Sequence, residues 1–327
     1  MPKHFSLILL KAAFLKVAFF ISFTMLLSSC GAQHPPYAFI TNQLSDDLSV
    51  IDTQSQQVIK TIDVGHRPAG IAISEQSHKA FISNPEGQDI SILDTNTLNV
   101  IAHIPVGVGP VGITTSNDSS LVYIADWYEH KISVVDSVTQ TIIATIPVGN
   151  SPAGMIVNSQ QLYVANRDDN NVMIIDTNTL KILHTISVGT APFGLALSPD
   201  GNTLYSVNVR SSDVSVIDIK TASVTSTINV GSWPYCAVVS PDGQHLYVTN
   251  QDDSTISIVD TVNPSIISTV DVGDSPEGID ITPDGKFVYV TNWGDGSVSV
   301  INTESYLVEK VIETGKGSRA FGRFIGL

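Results

Sequence analysis

The chain has 327 residues, of which 43% are apolar and only 14% charged, with 23 Gly and 16 Pro. That is ample for a large core, and the abundance of Thr, Ser, Asn, Val and Ile favours half-buried strands and polar turns; it excludes a disordered chain, a coiled coil, a helical bundle and a polytopic membrane protein. The formal charge of −15, from 16 basic and 31 acidic residues, repels phosphate backbones and anionic lipid, so nucleic acid is excluded as a partner.

Taken from the N-terminus, Lys3, Lys11 and Lys16 precede an eleven-residue apolar run, Val17 to Leu27, in a stretch without Asp or Glu. A bilayer span needs about 20 residues, so this run suits the hydrophobic region of a signal peptide. Leu27-Ser28-Ser29-Cys30-Gly31 follows. It resembles the lipobox of bacterial lipoproteins, in which the Cys becomes the lipidated first residue. The resemblance implies a lipoprotein signal peptide over 1–29, lipidation at Cys30, a tether over 30–36 and membrane attachment through that lipid only. Gly31 implies sorting to the outer membrane, with the domain facing the periplasm or the cell surface. Ordinary signal-peptidase cleavage nearby is the alternative. With Cys30 lipidated, Cys236 has no partner for an intramolecular disulfide.

From residue 37 onward the sequence repeats. Val-Gly, followed by a loop and Pro, recurs at Val64, Val106, Val148, Val188, Val230 and Val272, with a degenerate copy at Thr314-Gly315. An apolar-aromatic run ending in Asn or Asp recurs as Ala38–Asn42, Ala80–Asn84, Val122–Asp126, Leu162–Asn166, Leu204–Asn208, Leu246–Asn250 and Val288–Asn292. Runs such as Ser257-Ile258-Val259-Asp260 supply a third element. Each unit of about 42 residues holds four short strands, a to d, the pattern of a β-propeller blade. Pro199-Asp200-Gly201, Pro241-Asp242-Gly243 and Pro283-Asp284-Gly285 predict tight a–b turns, and Asp-Thr pairs such as Asp52-Thr53 predict Asx-type c–d turns. The first unit lacks strand a, whereas Ala320 to Ile325 reads as an a-type strand with nothing after it. The fold expected over 37–327 is therefore all-β: a seven-bladed propeller of four-stranded antiparallel blades, closed where the C-terminal strand completes the N-terminal blade.

Leu246-Tyr247-Val248-Thr249-Asn250 and Val288-Tyr289-Val290-Thr291-Asn292 resemble the namesake motif of YVTN-repeat, YncE-like β-propeller proteins. That resemblance implies a secreted, surface or periplasmic propeller. Similar propellers serve as quinoprotein dehydrogenase subunits and as lactonases, so the motif speaks for architecture and little for activity.

Alternating strand direction puts the b–c and d–a loops on one rim and the regular a–b and c–d turns on the other. The first rim gathers Trp127, Trp233 and Trp293, four of the five arginines (Arg67, Arg167, Arg210 and Arg319), and Tyr128, Phe193, Tyr235 and Glu277. Trp, Tyr and Arg dominate protein-interface hot spots. The eleven residues form the expected partner-binding rim, with Arg67, Phe193, Trp233, Tyr235, Glu277 and Arg319 converging on the channel mouth. Bracing of neighbouring blades and pairing of Arg with loop carboxylates is the alternative for each.

Other chemistry finds little support. No Cys-x-x-Cys-His attaches haem and no Gly-rich phosphate loop occurs. The eight histidines show no zinc spacing, and the Asp pairs at 46–47, 168–169 and 252–253 read as turn formers rather than calcium loops. No cofactor or metal is expected. The reading is a non-catalytic, lipid-anchored scaffold or accessory subunit holding a protein partner of a bacterial cell-envelope assembly. A periplasmic hydrolase of lactonase type, with Glu277 as base opposite Arg67 or Arg319, or a redox-enzyme accessory subunit, is the alternative. A purely structural or surface-antigen role is the third.

Overall fold

Each strand b and strand c is covered on both faces, because every sheet lies between two others, and the sequence answers with nearly continuous apolar runs. The computed structural model of the chain describes residues 36–326; the expected signal peptide and Cys30 lie outside the described residues. Within them the strands form seven four-stranded antiparallel sheets, the propeller that the repeat predicts. Blade 6 shows the pattern: strand a Pro234–Val239, b His245–Asn250, c Thr255–Asp260 and d Ser265–Asp271. Strand d is outermost and mostly exposed, with Val270 its one buried residue.

The core repeats with the blades. The third residue of strand b is aromatic throughout (Phe39, Phe81, Tyr123, Tyr163, Tyr205, Tyr247 and Tyr289) and no more than 5% exposed. Burying each such ring stabilises the blade-to-blade packing by roughly 2–3 kcal/mol. At the axis, glycine lets the inner strands close up. A Cβ on Gly194 would stand 2.5 Å from the Tyr235 carbonyl oxygen of the next blade.

The turns follow the expected chemistry. Asp200 Oδ1 accepts from Ser198 Oγ at 2.5 Å and Asn202 N at 3.0 Å, and Gly201 takes φ +71°. Asp52 Oδ1 accepts from Gln54 N and Ser55 N at 3.0 and 2.7 Å. One feature of the c–d turns is not written in turn-type residues: Gln56, Leu98, Gln140, Leu180, Ala222 and Tyr306 all adopt φ between +49° and +58°.

Ring closure departs from a regular strand. Ala320–Ile325 does not run as one strand; only Ile325–Gly326 pairs with Tyr37–Ala38, and Ser318 and Phe321 make single bridges to Asn42 and Gly70. The chain bends at Gly322, at φ +104°. Asp280 of blade 7 holds the closing segment, its Oδ2 accepting from Phe324 N and Ile325 N, both at 2.8 Å. At the other end, the Pro36 carbonyl accepts from Thr53 N at 3.2 Å, so the chain enters the ring on the rim of the a–b and c–d turns.

Candidate functional site

Seven equivalent positions, one per blade, ring the channel where the d–a loops turn into strand a. They are Ala69, Val111, Ala153, Phe193, Tyr235, Glu277 and Arg319. Three small consecutive side chains are followed by four large ones, so one half of the ring is open and the other filled.

The filled half blocks the channel. Phe193 packs on Tyr235 with centroids 4.4 Å apart, and Phe321 lies 5.0 Å from Phe193 and 5.6 Å from Tyr235. Phe321 reaches the axis because of the bend at Gly322. Two cavities lie along the axis, and Val111, Phe193 and Phe321 line both, so these side chains form a septum between them. The cavity on the irregular rim is a cup of about 660 Å³ whose lining includes Arg67, Trp127, Tyr128, Tyr235 and Arg319.

The charges in the cup are paired. Arg319 Nε donates to Glu277 Oε2 at 2.6 Å, and Gln251 Nε2 donates to Glu277 Oε1 at 2.7 Å. Glu277 and Arg319 side chains are 4% and 14% exposed, and the Arg319 guanidinium lies over Phe321 at 4.6 Å. Burial raises the Glu277 pKa against the opposing pull of Arg319 and Gln251, and burial with the nearby Glu277 charge pushes Tyr235 up to about 12. Arg67 Nε stands 3.6 Å from Glu86 Oε1. The Arg167 guanidinium sits over the Trp127 ring at 5.6 Å and pairs with Asp168 at 2.9 Å. Beneath the septum Cys236 is buried where five other blades carry Gly and the closing blade carries Ala320, and burial pushes its thiol far up.

Six of the expected site residues thus line the cup: Arg67, Trp127, Tyr128, Phe193, Tyr235 and Arg319. Glu277 is buried against Arg319 and Gln251 rather than standing across the channel, and Arg167 braces Trp127 from behind. Trp233, Arg210 and Trp293 share the rim but do not line the mouth. Trp233 is 38% exposed at φ +54°, Arg210 is exposed, and Trp293 Nε1 bonds Gln43 Oε1 at 3.1 Å across the closing blades. Sequence reasoning missed Phe321 and Val111. Val111 was findable as the residue between Pro110 and Gly112, the position that holds Phe193 two blades on. Among the described residues no group of three or more His, Cys, Asp and Glu is placed to hold a metal ion.

A cup that mixes aromatic rings with paired charges and the polar side chains of Gln43 and Gln88 suits an amphipathic group entering from outside. Residues 71–161 match the family described as YNCE-like beta-propeller. Residues 136–234 and 232–319, together more than half the chain, match that described as Lactonase, 7-bladed beta-propeller. No curated protein matches. Among solved structures, Kuenenia stuttgartiensis Hydrazine Synthase is 22% identical with a TM-score of 0.71, over 76% of this chain and 87% of that one. A functionally unknown protein from Desulfotomaculum acetoxidans DSM 771 is 15% identical with a TM-score of 0.77, over 86% and 98%. Dihydro-heme d1 dehydrogenase NirN, in complex with DHE, is 12% identical with a TM-score of 0.66, over 86% and 64%. In all, 1704 solved chains match, a breadth that fixes the fold and leaves the activity to the site.

Proposed function

The chain belongs to the seven-bladed, lactonase-type β-propeller family, and on that premise we propose that it is a non-catalytic protein-binding scaffold or accessory subunit of a bacterial cell envelope, anchored by lipid at Cys30. The observation that carries this reading is the blind, aromatic-walled cup, whose charged groups are already paired with one another. Tyr128 stands at its edge, 68% exposed, as an amphipathic anchor for a partner's loop. The chain enters the ring at Pro36 on the opposite rim, which leaves the cup face clear of the entry point.

The test is recovery of partners from detergent-solubilised envelope by the intact chain and by Trp127→Ala and Tyr128→Ala variants. Specific co-purifying proteins should be lost with either variant while melting is unchanged. Identical recovery from all three overturns the reading.

Family membership also favours a second reading, a periplasmic hydrolase of lactonase type. Its base would be Glu277, yet both oxygens of that carboxylate accept from fixed donors within 2.7 Å. Turnover of simple lactones that disappears in Glu277→Gln, with the fold intact, would establish it.

A further inference from the structure

Below the septum the axis holds a second blind cavity of about 510 Å³, opening on the rim of the a–b turns. Its walls are the inner strands of six blades, where Ile73, Ile113, Met155, Leu195 and Val239 supply apolar surface and Ser74, Thr114 and Thr115 supply polar groups. Its end wall is the underside of Phe193 and Phe321. A single cation lines it among the described residues, Arg323, carried on the closing segment and 57% exposed.

The other charged groups lining the cavity are Glu75 and Asp280. Glu75, 43% exposed, meets Arg323 Nη2 through Oε1 at 2.5 Å, and the remaining guanidinium donors have no protein acceptor. Asp280 is buried, with Oδ2 filled by Phe324 N and Ile325 N and Oδ1 by Ile281 N at 2.9 Å. It holds the chain and offers a ligand nothing. Gly322, next to Arg323, is exposed to the cavity, and a Cβ there would stand 2.5 Å from the Ile71 carbonyl oxygen. The mouth of the space therefore presents one guanidinium fork beside Glu75 and polar side chains of the a–b turns such as Gln76, Ser116 and Asn117, and aliphatic and aromatic side chains line the part nearer the septum.

We propose that this cavity is a second binding site, distinct from the cup, for a small organic acid with one carboxylate and an apolar chain. The carboxylate takes the Arg323 fork, displacing the exposed Glu75 from it, and the chain runs up the axis to the aromatic septum. Arg suits this task because its planar donors match both carboxylate oxygens. The volume of about 510 Å³ is that of ordinary small-molecule pockets.

The probe is octanoate with a terminal trifluoromethyl group, followed by fluorine NMR on the purified full chain held in amphipol. The signal should broaden and shift saturably, and untagged octanoate should displace it while octanol competes poorly. Arg323→Gln should weaken octanoate by at least about tenfold and erase its advantage over octanol. Leu195→Trp should abolish the effect by filling the space, and Tyr128→Ala in the cup should leave it unchanged. Absence of saturable binding, or binding indifferent to Arg323→Gln, overturns the proposal. Loss of binding in Tyr128→Ala alone would place the acid in the cup and overturn it equally, without bearing on protein capture by the cup.

Discussion

Gly315 packs directly against Asn42: a Cβ on the glycine would stand 2.6 Å from Cβ, Cγ and Nδ2 of the asparagine. Gly231 with Asn250 and Gly273 with Asn292 repeat the contact, at 2.5 and 2.6 Å. The Val-Gly and strand-b Asn motifs are thus two halves of one joint between successive blades, and the degenerate copy at Thr314-Gly315 makes that joint across the closure. Asn42 cannot turn aside, because its Nδ2 donates to Asp47 Oδ1 at 2.6 Å and Ser49 Oγ at 2.9 Å. Gly315→Ala should therefore destabilise the fold by about 1–3 kcal/mol, as overpacking in a tight core does. Urea unfolding at neutral pH measures it; an unchanged midpoint would mean the joint tolerates the extra methyl.

The same joint shows how far the sequence could be read. Blade number, strand order and the placement of irregular loops followed from motif spacing, since a recurring Gly and a recurring Asn leave few other ways to pack. Spacing also held information about the site. Glu277 and Arg319 lie 42 residues apart, one repeat, so they occupy the same position in adjoining blades and were bound to meet. Read that way, Glu277 is a partner for Arg319 before it is a base. The place of Phe321 was not legible, because the C-terminal run reads as an ordinary a-type strand and only its backbone reveals the bend at Gly322. Trp233 misled for a related reason: in a d–a loop, the side chain two positions further on reaches the axis, and that residue is Tyr235.

Asp280 makes closure sensitive to pH. Burial lifts its pKa from 3.8 to about 6, against the backbone donors of Ile325, Ile281 and Phe324 and the charge of Arg323. Between those values the folded chain binds a proton that the unfolded chain does not. The stability contributed by neutral Asp280 is fully present below 3.8 and is lost as pH rises through about 6, a change on the order of 3 kcal/mol. Turn carboxylates such as Asp94 and Asp118, whose pKa values are lowered, act in the opposite sense and lose stability toward acid. The difference between the chain and Asp280→Asn isolates the effect. Relative to the chain, the variant should be more stable at pH 7 than at pH 4.5, by thermal melting; parallel profiles would show that Asp280 does not titrate in this range.

The Glu277–Arg319 pair should behave as a buried pair. Glu277→Ala or Arg319→Ala strands the other charge and should destabilise by about 3–5 kcal/mol, whereas Glu277→Gln with Arg319→Met should recover much of the loss. A double-mutant cycle in urea gives the coupling directly. Additive single effects would mean that the two side chains do not depend on each other.

Cys236 should be chemically silent in the folded ring. It is 8% exposed and its thiol is held protonated by burial, so a thiol reagent at pH 8 should modify it only as fast as the ring opens. In a Cys30→Ser chain, labelling should track unfolding across a urea series. Rapid modification without denaturant would show that small molecules reach the thiol through the lower cavity, whose wall it forms.

Filling the open half of the ring offers a direct test of the cup. Val111 lies opposite the large side chains, is only partly buried, and forms part of the floor. Val111→Phe extends the aromatic plug across the free space without touching an ion pair or a turn. If a partner inserts a side chain there, the variant should lose capture by tenfold or more, roughly what removing one buried anchor does at a hot spot, while its melting temperature stays within a few degrees of the original. Trp233→Ala, on the same rim but outside the cup, supplies the comparison and should lose less. Equal losses would move the contact from the axis to the rim as a whole, because a surface read evenly by its outer loops does not depend on the depth of the cup.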